Sequence, residues 1–171
     1  MRNKIQISLY SAPCGKMVLG AYADKLCLCN WVAEKHPGRV DKRLQALLKA
    51  DYENATSPVV QEAIRQLDEY FRQERTVFDV PLLFAGTDFQ KRVWELLLEI
   101  PYGQTISYGE MACRLGMPNA VRAVANANGA NAISIFAPCH RVIGSNLSLT
   151  GYGGGIEAKK FLLELEKSVY F

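Results

Sequence analysis

The chain opens with a strand-like alternation of apolar and polar residues, in which Ile5, Ile7 and Leu9 take every second position. Two further apolar runs follow at residues 17–22 and 26–32, each after a short turn-forming segment. Alternation of period two, bounded by residues that favour turns, is typical of strands joined as hairpins. We therefore expect a small antiparallel sheet at the N-terminus.

A helical period replaces this alternation further along the chain. Residues 40–52 and 58–74 are predicted helices, and Ser57 and Pro58 suit the N-cap and the first turn of the second one. Residues 79–86 form a short apolar segment. This segment predicts a crossing between two halves that pack together rather than a flexible linker.

Capping signals mark the helices of the second half. Thr87, with Gln90 three residues later, predicts the start of one helix, and Ser107 with Glu110 predicts the start of the next. The apolar spacing near the end of the sequence predicts a final helix over residues 157–167. The second half is therefore expected to be mostly helical.

Two of these helices have the outline of a helix-turn-helix. Residues 108–115 and 120–128 are predicted helices, and a break at residues 116–118 contains glycine and proline. Short paired helices are also common in ordinary bundles. The outline alone leaves a DNA-binding interpretation and a purely structural one open.

Together these elements predict an α+β fold. A small N-terminal antiparallel sheet with flanking helices would pack on a mainly helical C-terminal domain that contains the helix-turn-helix. We place the boundary between an N-terminal α/β domain of residues 1–80 and a C-terminal domain of residues 81–171. The chain has 171 residues, 49% hydrophobic and 22% charged, which suits a globular protein of one or two domains.

Cysteine usage and the N-terminus indicate the compartment. The five cysteines are an odd, scattered set beside only two histidines, which favours a reducing environment. Cys27 and Cys29 lack further ligands at metal-binding spacing, so we predict core packing and no metal site, and we expect His36 at the surface. Residues 1–6 begin no apolar stretch long enough for a signal peptide or a membrane span. We expect a soluble, cytoplasmic protein with no membrane partner.

The distribution of charge says more than the net charge of +3. Residues 111–156 contain no Asp or Glu, and their only cations are Arg114, Arg122 and Arg141. A surface without carboxylates tolerates the phosphates of a nucleic acid at close range. The same composition also fits a segment of small residues that merely packs well, and charge alone does not separate these two interpretations.

The strongest chemical signal is the run Pro-Cys-His-Arg-Val at residues 138–142. A thiolate, not a thiol, is the nucleophile, and histidine titrates nearest to neutral pH. Cys139 beside His140 therefore predicts an activated nucleophile whose sulfur is held ionised. A lone cysteine is more often an inert buried residue, so on these two residues alone a structural interpretation stays open.

Four motifs of the second half occur together: Val-Arg-Ala-Val at residues 121–124, Asn131, Pro-Cys-His-Arg-Val-Ile-Gly at 138–144 and Thr-Gly-Tyr-Gly-Gly-Gly at 150–155. This set resembles the 6-O-alkylguanine-DNA alkyltransferases, also called methylated-DNA-protein-cysteine methyltransferases. The resemblance is close over about residues 85–168 and covers the first half only in its pattern of a sheet with two helices. It implies a ribonuclease H-like N-terminal domain. It also implies a DNA repair protein that moves the alkyl group of 6-O-alkylguanine, and of 4-O-alkylthymine, in double-stranded DNA onto its own cysteine.

The resemblance implies a chemical role for five residues. Cys139 would accept the alkyl group, and His140 would deprotonate it through a bridging water. Glu166 would hold the imidazole in its productive tautomer, which is the logic of a catalytic triad applied to a thiol. Asn131 would brace the loop before the cysteine, and Tyr108 would protonate or hydrogen-bond the purine ring at N3.

The resemblance also implies how DNA is bound. Arg122 would enter the minor groove and occupy the space of a flipped base, while Ala123 and its small neighbours would allow close approach of the helix. The substrate pocket would be framed by Val142, Gly151, Tyr152, Gly153 and Gly154. No cofactor is implied, and the protein would act as a monomer that reacts only once.

Three other functions are weighed against this one. An alkyltransferase-like protein flips damaged guanine without repairing it, but such proteins carry another residue where this chain has Cys139. A cysteine hydrolase would use Cys139 and His140 with an oxyanion hole and would turn over repeatedly. A transcription regulator would present several base-reading side chains from residues 120–128 to the major groove.

Overall fold

The computed structural model describes residues 2–34, 36–144 and 152–167. Its N-terminal half contains a four-stranded sheet in the order β3-β2-β1-β4. The strands are β1 (Asn3–Ala12), β2 (Gly15–Tyr22), β3 (Lys25–Trp31) and β4 (Ala50–Asn54). The first three form antiparallel hairpins, as the alternation predicted.

The fourth strand corrects two of the expectations. It pairs parallel to β1, with Asn3 opposite Ala50, so the sheet is mixed rather than antiparallel. The helix predicted over residues 40–52 is wrong at its end, because α1 spans Arg39–Leu48 and Lys49 adopts a left-handed conformation with φ of 50°. Residues 50–54, which come directly after Lys49, form β4 and pair with the open edge of β1. A local periodicity in the sequence cannot reveal such a long-range pairing.

α2 (Pro58–Phe71) packs across β1, β2 and β3. The hydroxyl group of Ser57 accepts a hydrogen bond from the N–H of Val60 at 3.2 Å and caps the helix as predicted. The helix ends before residue 74, since Gln73 has φ of 62° and leaves the helical conformation.

The outer edge of β3 joins the two halves of the chain. Leu26 exchanges two backbone hydrogen bonds of 2.8 Å with residues 81–83, and Cys29 exchanges two of 2.8 Å with residues 132–134. The apolar crossing segment therefore packs against the sheet, as expected. A loop of the second half is also fixed directly to a strand of the first.

The second half contains four α-helices among the described residues: α3 (Asp88–Leu97), α4 (Tyr108–Arg114), α5 (Val121–Gly129) and α6 (Ile156–Leu165). Thr87 and Gln90 form the predicted capping box of α3, and Ser107 accepts a hydrogen bond from the N–H of Glu110 at the start of α4. Two strands of two residues each, β5 (Ile106–Ser107) and β6 (Val142–Ile143), pair in parallel. They are too short for a sequence pattern to show.

α4 and α5 form the helix-turn-helix, with a turn at residues 115–120. Gly116 in this turn has φ of 73°, a conformation that favours glycine. The fully buried Val124 faces the core, and α5 packs on α3 and α4. Arg122 and Ala123 are exposed. Across the described ranges, no helix is both long and apolar enough to span a bilayer.

Candidate active site

Cys139 begins a short turn of 3-10 helix, Cys139–Arg141, that leads into β6. The residue is only 3% exposed, and residues 132–137 before it are buried throughout. Ile135 in this loop has φ of 72°, a strained conformation for a β-branched residue. The cysteine is therefore held inside the protein rather than presented at its surface.

Two asparagines hold the loop that carries the cysteine. The amide N–H of Asn131 donates to the carbonyl of Ala137 at 2.9 Å, and its Oδ1 accepts from the N–H of Ile133 at 3.0 Å. Asn128, on α5, donates to the carbonyl of Cys139 at 3.2 Å. Asn131 thus lies where a bracing role requires it, while Asn128 is a contact that the sequence did not point to.

Burial raises the pKa of the Cys139 thiol, and the side chains of Asn131, Lys159 and Ser134 lower it only in part. In the resting protein the sulfur is therefore protonated at neutral pH. The expectation of a sulfur held ionised is wrong on this point, because the surroundings that exclude water also remove the solvation of a thiolate. A base has to take the proton during the reaction.

His140 is fully buried, and its Nε2 lies 2.8 Å from Oε2 of Glu166. Its Nδ1 has no hydrogen-bond partner within the described part of the chain. Burial lowers the pKa of His140, although the neighbouring carboxylate acts in the opposite direction, so the imidazole is neutral. An ionised carboxylate only accepts hydrogen bonds, so Nε2 carries the proton and Nδ1 keeps a lone pair that can receive one.

Glu166 follows α6 and is 3% exposed. Besides the contact with His140, its carboxylate accepts hydrogen bonds from Nε and Nη2 of Arg141 at 2.9 and 3.1 Å, from the hydroxyl of Tyr70 and from the N–H of Gly103. Burial would raise the pKa of Glu166, but the hydrogen bonds and charges of His140 and Arg141 hold it well below its usual range. The carboxylate is ionised and can orient the imidazole.

Lys159 of α6 is a member of the site that the sequence analysis missed. It is fully buried, and its Nζ donates to the carbonyl of Val142 at 2.6 Å and lies 5.7 Å from the ring centre of Tyr108. Burial lowers the pKa of Lys159 to about 8, and the charge of a Cys139 thiolate would raise it. The ammonium group thus favours the ionised form of the sulfur and links Tyr108 to the cysteine.

One signal in the sequence could have revealed this lysine. It stands three and four residues before the buried Leu162 and Leu163, on the inward stripe of α6. A cation on an apolar stripe is rarely fully buried unless it has partners. The adjacent Lys160, which is exposed, makes the pair look like an ordinary solvated surface.

Tyr152 and Gly154 lie against Trp31 of β3. The indole N–H of Trp31 donates to the hydroxyl of Tyr152 at 3.2 Å, and the two rings meet edge to face at 6.1 Å. A Cβ at Gly154 would come within 2.5 Å of the indole, so the absence of a side chain allows the close approach. A strand of the N-terminal half therefore supports the glycine-rich segment.

A cavity of about 20 Å³ lies beside Cys139, and Gly153 lines it. The N-terminal half supplies its other wall, a contribution that the sequence did not predict: Asn30, Glu34, His36, Arg39 and Val40. His36 is exposed, as expected, yet it lies at this wall. Small-molecule pockets have volumes of about 300–1,000 Å³, so the cavity as it stands is too small for a ligand of that size.

The predicted site residues fall into two groups. Cys139, His140, Glu166 and Asn131 lie together in the buried site, and Tyr108, which is 6% exposed, joins them through Lys159. The other group consists of Arg122 and Ala123 on the exposed start of α5. Val142 is fully buried at the end of the Cys139 turn, while Gly151 lies outside the described residues.

The described residues contain no group of three or more His, Cys, Asp or Glu side chains that could hold a metal ion. The fold and the site define the class: a helix-turn-helix protein with a buried cysteine followed by a buried histidine, whose imidazole lies 2.8 Å from the carboxylate of a buried glutamate.

Comparison with known proteins identifies the family. The family model "6-O-methylguanine DNA methyltransferase, ribonuclease-like domain" matches residues 5–84, and "6-O-methylguanine DNA methyltransferase, DNA binding domain" matches residues 88–168. The chain belongs to the 6-O-methylguanine DNA methyltransferase family. The resemblance found in its motifs is thereby confirmed.

Individual relatives agree with this assignment. The methylated-DNA-protein-cysteine methyltransferase of Mycobacterium tuberculosis (strain ATCC 25618 / H37Rv) is 62% identical over 106 residues, which are 62% of this chain and 64% of that relative. The match thus spans less than two thirds of that relative's length. The methylated-DNA-protein-cysteine methyltransferase of Methanosarcina acetivorans is 43% identical over 161 residues, which are 94% of this chain and 97% of the relative.

Solved structures confirm the α+β fold class. A crystal structure of Mycobacterium tuberculosis OGT in complex with DNA matches with a TM-score of 0.80 and 42% identity, covering 96% of this chain and 92% of that chain. The O6-methylguanine-DNA methyltransferase of Pyrococcus kodakaraensis strain KOD1 matches with a TM-score of 0.59 and 26% identity, covering 95% and 98%. The match therefore extends over both halves of the chain.

Proposed function

We propose that this protein repairs DNA by transferring the alkyl group of 6-O-alkylguanine, and of 4-O-alkylthymine, to the sulfur of its own Cys139. The observation that carries the proposal is the buried pair of His140 and Glu166, whose Nε2 and Oε2 lie 2.8 Å apart, directly after the buried Cys139. The transfer is irreversible, because water does not cleave the thioether that forms. Each molecule acts once.

The reaction begins with a protonated sulfur. The lone pair on Nδ1 of His140 takes the proton of Cys139 through a bridging water, and Glu166 stabilises the imidazolium that forms. The sulfur attacks the alkyl carbon, so an S–C bond forms as the C–O bond breaks. The guanine oxygen gains negative charge, which Tyr108 relieves by donating a hydrogen bond to N3, and the proton from the thiol ends on the released guanine.

Double-stranded DNA containing the lesion is the proposed partner. A stacked base cannot bring its alkyl carbon to a sulfur that is 3% exposed, so the nucleotide has to leave the helix. Arg122, exposed at the start of α5, would enter the minor groove and fill the vacated space, with Ala123 beside it. The lack of carboxylates over residues 111–156 suits phosphate contacts of this kind. A related protein, Mycobacterium tuberculosis OGT, has been solved in complex with DNA.

The pocket for the flipped base is assigned to the segments around the sulfur. Val142 follows the Cys139 turn, and the glycine-rich segment contributes Gly151, Tyr152, Gly153 and Gly154. Contact of Gly154 and Tyr152 with Trp31 supports this position for the segment. The cavity wall from the N-terminal half would open to admit the base.

The remaining parts of the proposal concern organisation and setting. We assign residues 1–80 to a ribonuclease H-like domain and residues 81–171 to the DNA-binding and alkyl-acceptor domain, and the two family-model matches support a division close to this point. All five cysteines are free, which suits a reducing cytoplasm. The protein acts as a monomer and needs no cofactor.

The test is incubation with a duplex that contains 6-O-methylguanine, followed by peptide mass spectrometry. The peptide with Cys139 gains one methyl group, whereas Cys139→Ala binds the duplex and gains no mass. Label on Cys27, Cys29 or Cys113 would overturn the assignment. Repeated turnover on an ester or a peptide would instead identify a cysteine hydrolase.

A further inference from the structure

Arg43 of α1 is a half-buried cation that forms no ion pair with a carboxylate anywhere in the described residues. Its guanidinium donates to two carbonyl groups instead, to Ala130 from Nη2 at 2.7 Å and to Ala85 from Nε at 3.2 Å. Ala130 is the C-cap residue directly after α5, and Ala85 belongs to the crossing segment between the two halves. One side chain of the N-terminal half thus ties together two segments that are distant in sequence.

Trp94 of α3 also contacts this guanidinium. The guanidinium carbon of Arg43 lies 5.2 Å from the centre of the indole ring, and the indole N–H donates to the carbonyl of Ala127 at 2.8 Å. Gly86 lies flat against the same ring, where a Cβ would come within 2.6 Å. The last carbonyl groups of α5 therefore receive two separate donors, and a cation suits the negative end of a helix dipole.

The end of α5 that Arg43 holds is also the end that contacts the acceptor loop. Asn128 donates to the carbonyl of Cys139 at 3.2 Å. Asn131, directly after Ala130, donates to the carbonyl of Ala137 at 2.9 Å. A shift of this helix end would move both amides relative to the sulfur. A misplacement of about 1 Å at a reacting group can cost about 100-fold in rate.

We propose that Arg43 is a positioning residue for alkyl transfer, which fixes the C-terminal end of α5, and with it Asn128 and Asn131, against the Cys139 loop. The proposal rests on the alkyl transfer proposed above. It gives the N-terminal half a part in the chemistry that is separate from DNA binding, because Arg43 acts through backbone carbonyls and not on the substrate.

Two variants of Arg43 and two controls test this role. Arg43→Met keeps an apolar stem over Trp94 and removes the donors, while Arg43→Lys keeps the charge and can reach one carbonyl. Arg65→Met removes one positive charge from an exposed position on α2, and Ile5→Val weakens the buried core of the sheet. Single-turnover rates are measured against duplex concentration, at a temperature where circular dichroism shows every variant to be folded.

We expect the saturating rate of Arg43→Met to fall by about 10-fold to 100-fold, with an unchanged half-saturating duplex concentration and the same deficit on the free 6-O-methylguanine base. Arg43→Lys is expected to recover part of the loss, and both controls to match the wild type. If Arg43→Met does not fold, Arg43→Lys against the controls makes the same comparison.

Three outcomes overturn the role of Arg43. If Arg43→Met has the same saturating rate as Ile5→Val, Arg43 contributes only to stability. A raised half-saturating concentration with an unchanged saturating rate would mean that it contacts DNA. A deficit confined to the duplex would place it in base extrusion. Failure of the wild-type protein to gain a methyl group would refute the proposed function itself, so the two failures are distinguishable.

Discussion

The buried carboxylate of Glu166 both orients the imidazole of His140 and pairs with the guanidinium of Arg141, and replacing Glu166 with glutamine tests these two roles. The carboxylate lies 2.8 Å from Nε2 of His140 and accepts two hydrogen bonds from Arg141 at 2.9 and 3.1 Å. An amide carries no charge and has one oxygen where the carboxylate has two. In Glu166→Gln the imidazole loses the group that fixes its tautomer, and the guanidinium loses its counter-ion.

The magnitudes follow from the burial of these groups. Removing one partner of a buried ion pair costs about 3–5 kcal/mol. The amide still accepts one hydrogen bond, so we expect the free energy of unfolding of Glu166→Gln to fall by about 3 kcal/mol at pH 7. Loss of the carboxylate in a serine triad lowers the rate about 10⁴-fold. A thiol is more acidic than a serine hydroxyl, so we expect a loss of about 10²-fold to 10³-fold here.

Arg141→Lys is the matched control. It keeps a positive charge beside Glu166 but breaks the forked hydrogen bond, so it loses stability while His140 keeps its partner. Urea unfolding gives the free energies, and single-turnover methyl transfer under folding conditions gives the rates. We expect Arg141→Lys to lose much less rate than Glu166→Gln. If the two variants lose rate in proportion to their loss of stability, Glu166 does not act through the imidazole.

The same variant has a signature in the pH dependence of stability. The pKa of Glu166 is lower in the folded protein than the value of about 4.3 for an unfolded chain. The contribution of the ionised Glu166 carboxylate to the free energy of unfolding is therefore fully present above that pH and is lost as the pH falls. The difference in unfolding free energy between wild type and Glu166→Gln is expected to narrow as the pH is lowered from about 5 to 3. A constant difference would show that the carboxylate is not stabilised in its ionised form.

Three further predictions follow from individual contacts. Arg122→Ala is expected to slow transfer from a duplex at least about 10-fold more than transfer from the free base, because only the duplex requires extrusion; equal slowing in a quenched-flow assay would remove that role. The folded pKa of Lys159 is about 8, below its unfolded value. As the pH rises from about 8 to 10.5, the free energy of unfolding of the wild type should therefore increase by up to about 3 kcal/mol relative to that of Lys159→Met. A flat difference in urea unfolding would contradict the burial of the ammonium group. Gly154→Ala places a methyl group within 2.5 Å of Trp31 and is expected to lower the unfolding free energy by about 1–3 kcal/mol. The loss should shrink in a Trp31→Phe background, and an undiminished loss would place the strain elsewhere.

Features that depend on neighbouring residues could be predicted from the sequence. The hairpins of β1, β2 and β3 follow from alternation, and the starts of α2 and α3 follow from Ser57 and Thr87, whose side chains bond the helix N-termini. Cys139 and His140 are consecutive in the sequence, so the pair could be recognised without any knowledge of the fold. These signals lie within a few residues of the structure that they determine.

The main misses depend on contacts between distant segments. Residues 50–54 pair with β1, and that pairing overrides a local helical spacing. The side of the Cys139 cavity that includes His36, and the contact of Arg43 with Trp94, exist only because the two halves fold together. The protonation of Cys139 is a similar case, because burial of the loop raises the pKa of the thiol whatever its neighbours in sequence are.

The central claim is that Cys139 accepts one alkyl group and keeps it. Intact-protein mass spectrometry over time, with the methylated duplex in several-fold excess, tests this claim most directly. We expect the mass to rise by one methyl group per molecule and then to stay constant, with one unmodified guanine produced per protein. Continued production of guanine beyond one equivalent, or a protein of unchanged mass, would contradict the account.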